Sequence, residues 1–277
     1  MAEGAAAPRL GLLRRSWPLL PALAFLGVFF LYPVVDFLAL SFTTTKGDFT
    51  LAAYNRVLEG AGYMRVMGIT FKISLMVTFF SIVLGYPVAY LLAAVDQKTR
   101  ARLVVFVLIP FWTSFLVRTF ALMILLAHEG PLQSAIRAVG LGDAGFKPIF
   151  SMTGVMIGTT QALMPMAILV MMSAMLGIDR DLLKAASTMG ARRGQAFFRI
   201  YLPLSLPGVT AAALLTFITS LGFFITPALL GSPRESMIAQ FILTQIQELL
   251  NWRLAGALSL VLLACALGIF AVDDRVA

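Results

Sequence analysis

The sequence predicts an all-α integral membrane protein that crosses the bilayer six times. Of its 277 residues 60% are hydrophobic and only 12% are charged, against roughly 45–50% and about 25% in ordinary soluble domains. The apolar residues arrive in long blocks, and a bilayer core about 30 Å thick takes about 20 mostly apolar residues of helix. No linker-like shift in composition divides the blocks, so one membrane domain over residues 1–277 is expected.

Six blocks meet the length requirement, at about 17–42, 66–95, 101–127, 149–175, 205–230 and 254–272. The first follows Arg9, Arg14 and Arg15 in the manner of a signal peptide. Its apolar run from Trp17 to Val35 is long for one, however, and the triplet Ala22-Leu23-Ala24 falls too early for cleavage, so the span is expected to be retained. Pro87, Pro110, Pro165 and Pro227 lie inside the later blocks, where each removes a helix hydrogen bond and can bend its segment, as suits a gated path. In the fourth block Gly154 and Gly158 permit close helix contact, expected within the subunit.

The formal net charge is +8. The basic residues are scattered over the connectors and form no single basic face, which excludes nucleic acid as a partner. They set orientation instead, because positively charged connectors stay in the cytoplasm. With the N-terminus inside, the cytoplasmic segments hold twelve: Arg9, Arg14, Arg15, Lys98, Arg100, Arg102, Arg180, Lys184, Arg192, Arg193, Arg199 and Arg275. The outer segments hold seven: Lys46, Arg56, Arg65, Arg137, Lys147, Arg234 and Arg253. Both termini are therefore expected in the cytoplasm. The single cysteine, Cys265, leaves no disulfide framework within the chain.

The connector at 179–203 carries the most specific pattern. Leu182, Ala185, Ala186 and Met189 share one face at helical spacing, and Asp179 or Asp181 is placed to cap the start, so a short amphipathic helix is expected. Gly190 then permits a sharp turn. Phe197, Ile200 and Tyr201 form a second apolar stripe and Pro203 closes the unit, which predicts two short helices at an angle. Such an element fits a groove on another protein. Asp179 and Asp181 would face anionic lipid in the membrane-surface alternative.

On these residues the chain resembles the permease subunits of binding-protein-dependent ABC importers. Their hallmark is Glu-Ala-Ala, three residues, Gly, nine residues, then Ile-x-Leu-Pro; Ala185, Ala186, Gly190, Ile200, Leu202 and Pro203 occupy those positions. Lys184 stands where the family usually carries glutamate. Phe111-Trp112-Thr113-Ser114-Phe115-Leu116-Val117-Arg118-Thr119, Glu129-Gly130-Pro131-Leu132, Gly231-Ser232-Pro233-Arg234 and Met237-Ile238-Ala239 are similar to the first permease of spermidine/putrescine-type importers.

The resemblance implies a type I importer permease in the bacterial inner membrane, forming half of the pathway for a small polar, polyamine-like solute. The other parts would be a second permease, an ATPase dimer that holds ATP and Mg, and a periplasmic substrate-binding protein. Lys184, Ala185, Ala186, Met189, Gly190, Ala191, Ile200, Leu202 and Pro203 would couple the chain to the ATPase. No Gly-x-x-x-x-Gly-Lys-Ser/Thr loop is present to cradle phosphates, so no cofactor, no metal and no catalytic residue is expected in this chain.

For the solute path, Arg118 in the third span must face protein or water, because an isolated cation in the bilayer costs several kcal/mol; bonding within the bundle is the alternative. Lys72 lies nearer an end and snorkels. In the fifth span Thr216, Thr219, Ser220, Phe223, Phe224 and Thr226 mix hydroxyls with aromatic faces, and of these Thr219, Ser220, Phe223 and Phe224 join Arg118 as pathway candidates. His128 and Glu129 lack further ligands for a metal and read as a turn before Gly130-Pro131. A stand-alone ion-coupled carrier is the competing function; it ordinarily needs buried ionisable residues or internal repeats, neither of which is evident.

Overall fold

Small side chains decide which helices form the interior. The computed structural model describes residues 19–44, 46–138, 149–179 and 181–273. Arg9, Arg14, Arg15, Lys147, Arg180 and Arg275, used in the orientation count, lie outside the described residues, as do residues 17 and 18 of the first expected span. The helices are α1 (Leu20–Phe42, with a π turn at Gly27–Leu31), α2 (Ala52–Glu59), α3 (Ala61–Ala94), α4 (Gln97–Trp112), α5 (Phe115–Leu126), α6 (Pro131–Ala138) and α7 (Met152–Leu176). They continue as α8 (Asp181–Thr188), α9 (Arg193–Ala196), α10 (Leu202–Leu221), α11 (Ile225–Leu230), α12 (Ile238–Gln247) and α13 (Trp252–Asp273). Among the described residues there is no strand, and six helical segments are long and apolar enough to cross a membrane: Leu20–Phe42, Ala61–Ala94, Phe115–Ala138, Met152–Leu176, Arg193–Leu221 and Trp252–Ala271.

α3, α7 and α10 pack together as the core. Glycines set their spacing. A Cβ on Gly85 would stand 3.1 Å from Ile168 and 3.2 Å from Met171, and one on Gly208 would overlap Ala174. Around these contacts Ala89, Leu92, Ala167, Ile168, Met171 and Ala212 are almost wholly buried. Tyr86 Oη and Ser205 Oγ lie 2.9 Å apart and tie α3 to α10. Gly208→Val is expected to lower bundle stability by about 1–3 kcal/mol, the usual cost of overpacking. The thermal midpoint of the purified subunit in detergent measures this; an unchanged midpoint would mean that α7 and α10 part without cost.

Gly158 uses its missing side chain in the same way. A Cβ there would lie 2.5 Å from Thr226 and 2.6 Å from Leu230, so its close contact is internal to the subunit. A second cluster, Val57, Ile238, Leu254, Ala257 and Leu258, joins α2, α12 and α13. It is fastened to the core where the Ile238 N–H donates to Thr70 Oγ1 at 2.8 Å. α1 touches this cluster only near its C-terminal end, where the Phe37 carbonyl backs on Gly256, the Phe37 and Trp252 rings lie 6.3 Å apart, and Ser41 bonds Tyr54 at 2.6 Å. Apart from Gly27, residues 20–36 are exposed.

Two expected spans are not continuous helices. The block at 101–127 divides into α4 and α5, because the chain is extended at Thr113 and Ser114. Pro110 has no N–H for the last turn of α4, and the Thr113 hydroxyl takes the Pro110 carbonyl at 2.9 Å, closing the helix locally. The block at 205–230 starts earlier, at Leu202, and breaks at Gly222–Phe224. Pro227 cannot donate to the Phe223 carbonyl and its ring would crowd it, so the helix has to restart. Pro87 and Pro165, by contrast, lie within α3 and α7 without ending them.

Candidate functional site

The loop after α7 is built by local hydrogen bonds. Asp179 supplies the cap, its Oδ1 accepting the Asp181 N–H at 2.9 Å. Asp181 instead takes Lys184 at 2.7 Å, an exposed pair one helical turn apart. That hydrogen bond, with the ammonium's charge, holds the Asp181 carboxyl below its ordinary range. At the other end the Ala191 N–H reaches the Ala186 carbonyl at 3.0 Å and the Gly190 N–H reaches Ser187 at 3.1 Å. These are the paired bonds of a Schellman turn. They require a left-handed residue, and Gly190 has φ +86°.

The face expected to carry four small or apolar residues is split. Ala186 is buried against its own chain beside the half-buried Leu183, while Leu182, Ala185 and Met189 point outward, Met189 being 88% exposed. The second expected helix is also different. α9 does not end at Pro203 but runs through a π turn at Phe197–Tyr201 into α10, giving one stretch of 29 residues from Arg193 to Leu221. In the π turn the Leu202 N–H bonds back to the Phe197 carbonyl. Pro203, at the start of the resumed α-helix, therefore interrupts a ladder that has already been widened. Ile200 and Leu202 are half-buried and Pro203 is exposed.

An aromatic cluster anchors the loop to the bundle. The Tyr90 ring from α3 meets Phe197 at 5.5 Å and Tyr201 at 5.0 Å, edge to face in both cases. Phe197 and Tyr201 were legible as a stripe; Tyr90, more than a hundred residues away, was not.

The pathway candidates collect at the two helix breaks. Phe115, the first residue of α5, sets its ring edge-on to Phe223 at 5.2 Å, joining one break to the other. The Arg118 guanidinium lies 5.4 Å from the centre of the Phe115 ring, and its Nε is buried with no hydrogen-bond partner. A hollow of about 180 Å³ is lined by Phe115, Gly222, Phe223, Phe224 and Ile225. Thr219 is half-buried and returns its hydroxyl to the Leu215 carbonyl at 2.7 Å. Ser220 is fully buried, as are Thr216 and Thr226, so these hydroxyls stand behind the wall of the hollow. Phe115 is the member that sequence reasoning missed; its signal was the Thr113-Ser114 pair before it, which ends a helix.

Such a subunit, with several crossings, an exposed helical loop on a rigid stem and paired interruptions of membrane helices, is of the transporter class. The chain belongs to the family of binding-protein-dependent transport system inner membrane components, whose model matches residues 85–273. Among its relatives are the spermidine/putrescine transport system permease protein PotB of Escherichia coli K12, 33% identical over 78% of each chain, and that of Haemophilus influenzae, 30% identical over 84% of this chain and 83% of the relative. The crystal structure of a bacterial ABC transporter that imports the acidic polysaccharide alginate shares the fold, with a TM-score of 0.74 at 17% identity over 97% of this chain and 98% of that one. The protein is thus a permease subunit of an ABC importer, a multi-pass component of the inner membrane.

Proposed function

We propose that this chain forms one half of the passage for a polyamine-like solute and is driven through residues 179–203 by a separate ATPase dimer. A second permease completes the passage, a periplasmic receptor delivers the solute, and both termini face the cytoplasm with the loop. ATP and Mg belong to the ATPase; this chain binds neither, and it works as a single membrane domain. The observation that carries the reading is the unbroken stretch from Arg193 to Leu221, which begins beside the Gly190 turn and ends at the Gly222 break. At 1.5 Å per residue it is a lever of roughly 44 Å. Its lower end is braced by the Tyr90 cluster, and beyond its upper end Phe223 touches Phe115 beneath Arg118.

Unwound backbone at membrane depth is tolerated where it lies in protein or lines water. This supports Arg118, Thr219, Phe223 and Phe224 as the wall, with Ser220 behind. The polyamine class is supported by the PotB relatives. No acidic residue lies deep in a span, so cation selection falls mainly to the receptor and the second permease. The test is uptake of labelled putrescine by proteoliposomes holding both permeases and the ATPase, with soluble receptor outside. Uptake should require ATP inside the vesicles, on the loop side; uptake by this chain alone on an ion gradient would overturn the reading.

A further inference from the structure

The loop that meets the partner is basic. From Asp179 to Pro203 the chain carries Arg180, Lys184, Arg192, Arg193 and Arg199 against Asp179 and Asp181, and Asp179, Asp181, Lys184, Arg192, Arg193 and Arg199 are exposed. With 3.6 residues per turn, the outward crest of α8 runs through Ala185 and Thr188, and Lys184 and Met189 border it on opposite sides. Ala186 and Leu183 turn away into the subunit, which fixes this orientation. A groove that takes the crest to its floor therefore meets the Met189 thioether on one wall and the Lys184 ammonium on the other. Just past the Gly190 turn it meets Arg192 and Arg193.

We propose that the ATPase groove receiving α8 is acidic along the wall facing Lys184 and the Arg192–Arg193 corner, so that this chain supplies the cations of the contact. The proposal rests on the coupling reading above. Its physical basis is the cost of the alternative: Lys184, Arg192 and Arg193, two net positive charges after Asp181, pressed against a neutral or basic wall lose water without gaining a partner. The Lys184–Asp181 pair does not remove that cost, because an exposed pair contributes little and Asp181 offsets only one of these three cations. Anionic lipid headgroups are the other source of negative charge. The protein groove fits better, since Asp181 shares the crest with Ala185 and would face the lipid as well.

The test is association of the detergent-solubilised permease pair with its ATPase, without anionic lipid. Lys184→Glu, or Arg192→Glu with Arg193→Glu, should weaken association about tenfold or more at low salt, and the wild-type affinity should fall steeply as salt is raised. Exchanging an acidic residue of the groove for lysine should restore the Lys184→Glu permease. Equal or tighter binding by Lys184→Glu at low salt overturns the proposal. So does a defect that appears only when anionic lipid is added, which would assign the charges to the membrane. Met189→Asp separates the two levels: if it and both charge reversals leave association intact, the loop is not the docking element and the coupling reading itself fails.

Discussion

Gly190→Val leaves the subunit in the membrane and stops receptor-driven uptake. Space is not the reason, since nothing lies within 4 Å of a Cβ built on Gly190. The cause is the backbone at φ +86°, which costs an L-residue roughly 1–2 kcal/mol and a β-branched one the most. Relaxing that strain breaks the paired bonds from Gly190 and Ala191 to Ser187 and Ala186. Leu182, Ala185 and Met189 then lose their fixed aim while the buried spans are untouched. Membrane content should stay near normal, labelled-solute uptake should fall to background, and ATP hydrolysis should no longer respond to loaded receptor. Gly190→Asn, a residue that tolerates the left-handed region, should retain much of the uptake. Normal transport by the valine variant would count against the docking role of α8.

The second large effect is expected at the helix breaks. Arg118→Met keeps most of the side-chain length but removes the cation that sits over Phe115. If the guanidinium keeps the junction of α4, α5, α10 and α11 hydrated, uptake should drop by about tenfold or more, equivalent to at least about 1.4 kcal/mol. Receptor binding and assembly with the ATPase should be unaffected, and Arg118→Lys should recover part of the rate. A different result, in which the subunit disappears from the membrane and lysine does not restore it, would make Arg118 a brace for the break and not part of the wall.

The sequence showed most where a requirement is local. A crossing needs only length and apolar composition, so six bilayer segments could be counted, although the third, expected at 101–127, is Phe115–Ala138 and the fifth, expected at 205–230, is Arg193–Leu221. The Gly190 turn needs only a position where an L-residue is strained. The breaks at Thr113–Ser114 and Gly222–Phe224 were hidden because hydrophobicity continues across them; what interrupts the helix is a missing donor at Pro110 and a ring clash at Pro227. Pro203 misled in the opposite sense. Taken alone it ends a helix, but the π turn before it has already widened the ladder. Nor does a helix with alanines on two sides declare which side is inward: Ala185 and Ala186 were separated by the packing of Leu183 and Ala186 against the subunit, a matter of tertiary structure.

The attachment of α1 bears on how the molecule is made. Its helix is held at one end only, by Phe37 and Ser41, and takes nothing from the three-helix interior for most of its length. A segment so independent can leave the ribosome and settle among the lipids before the later helices have been translated. The glycine-spaced interior can therefore close without α1, whose exposed length is left to the lipid as a tether.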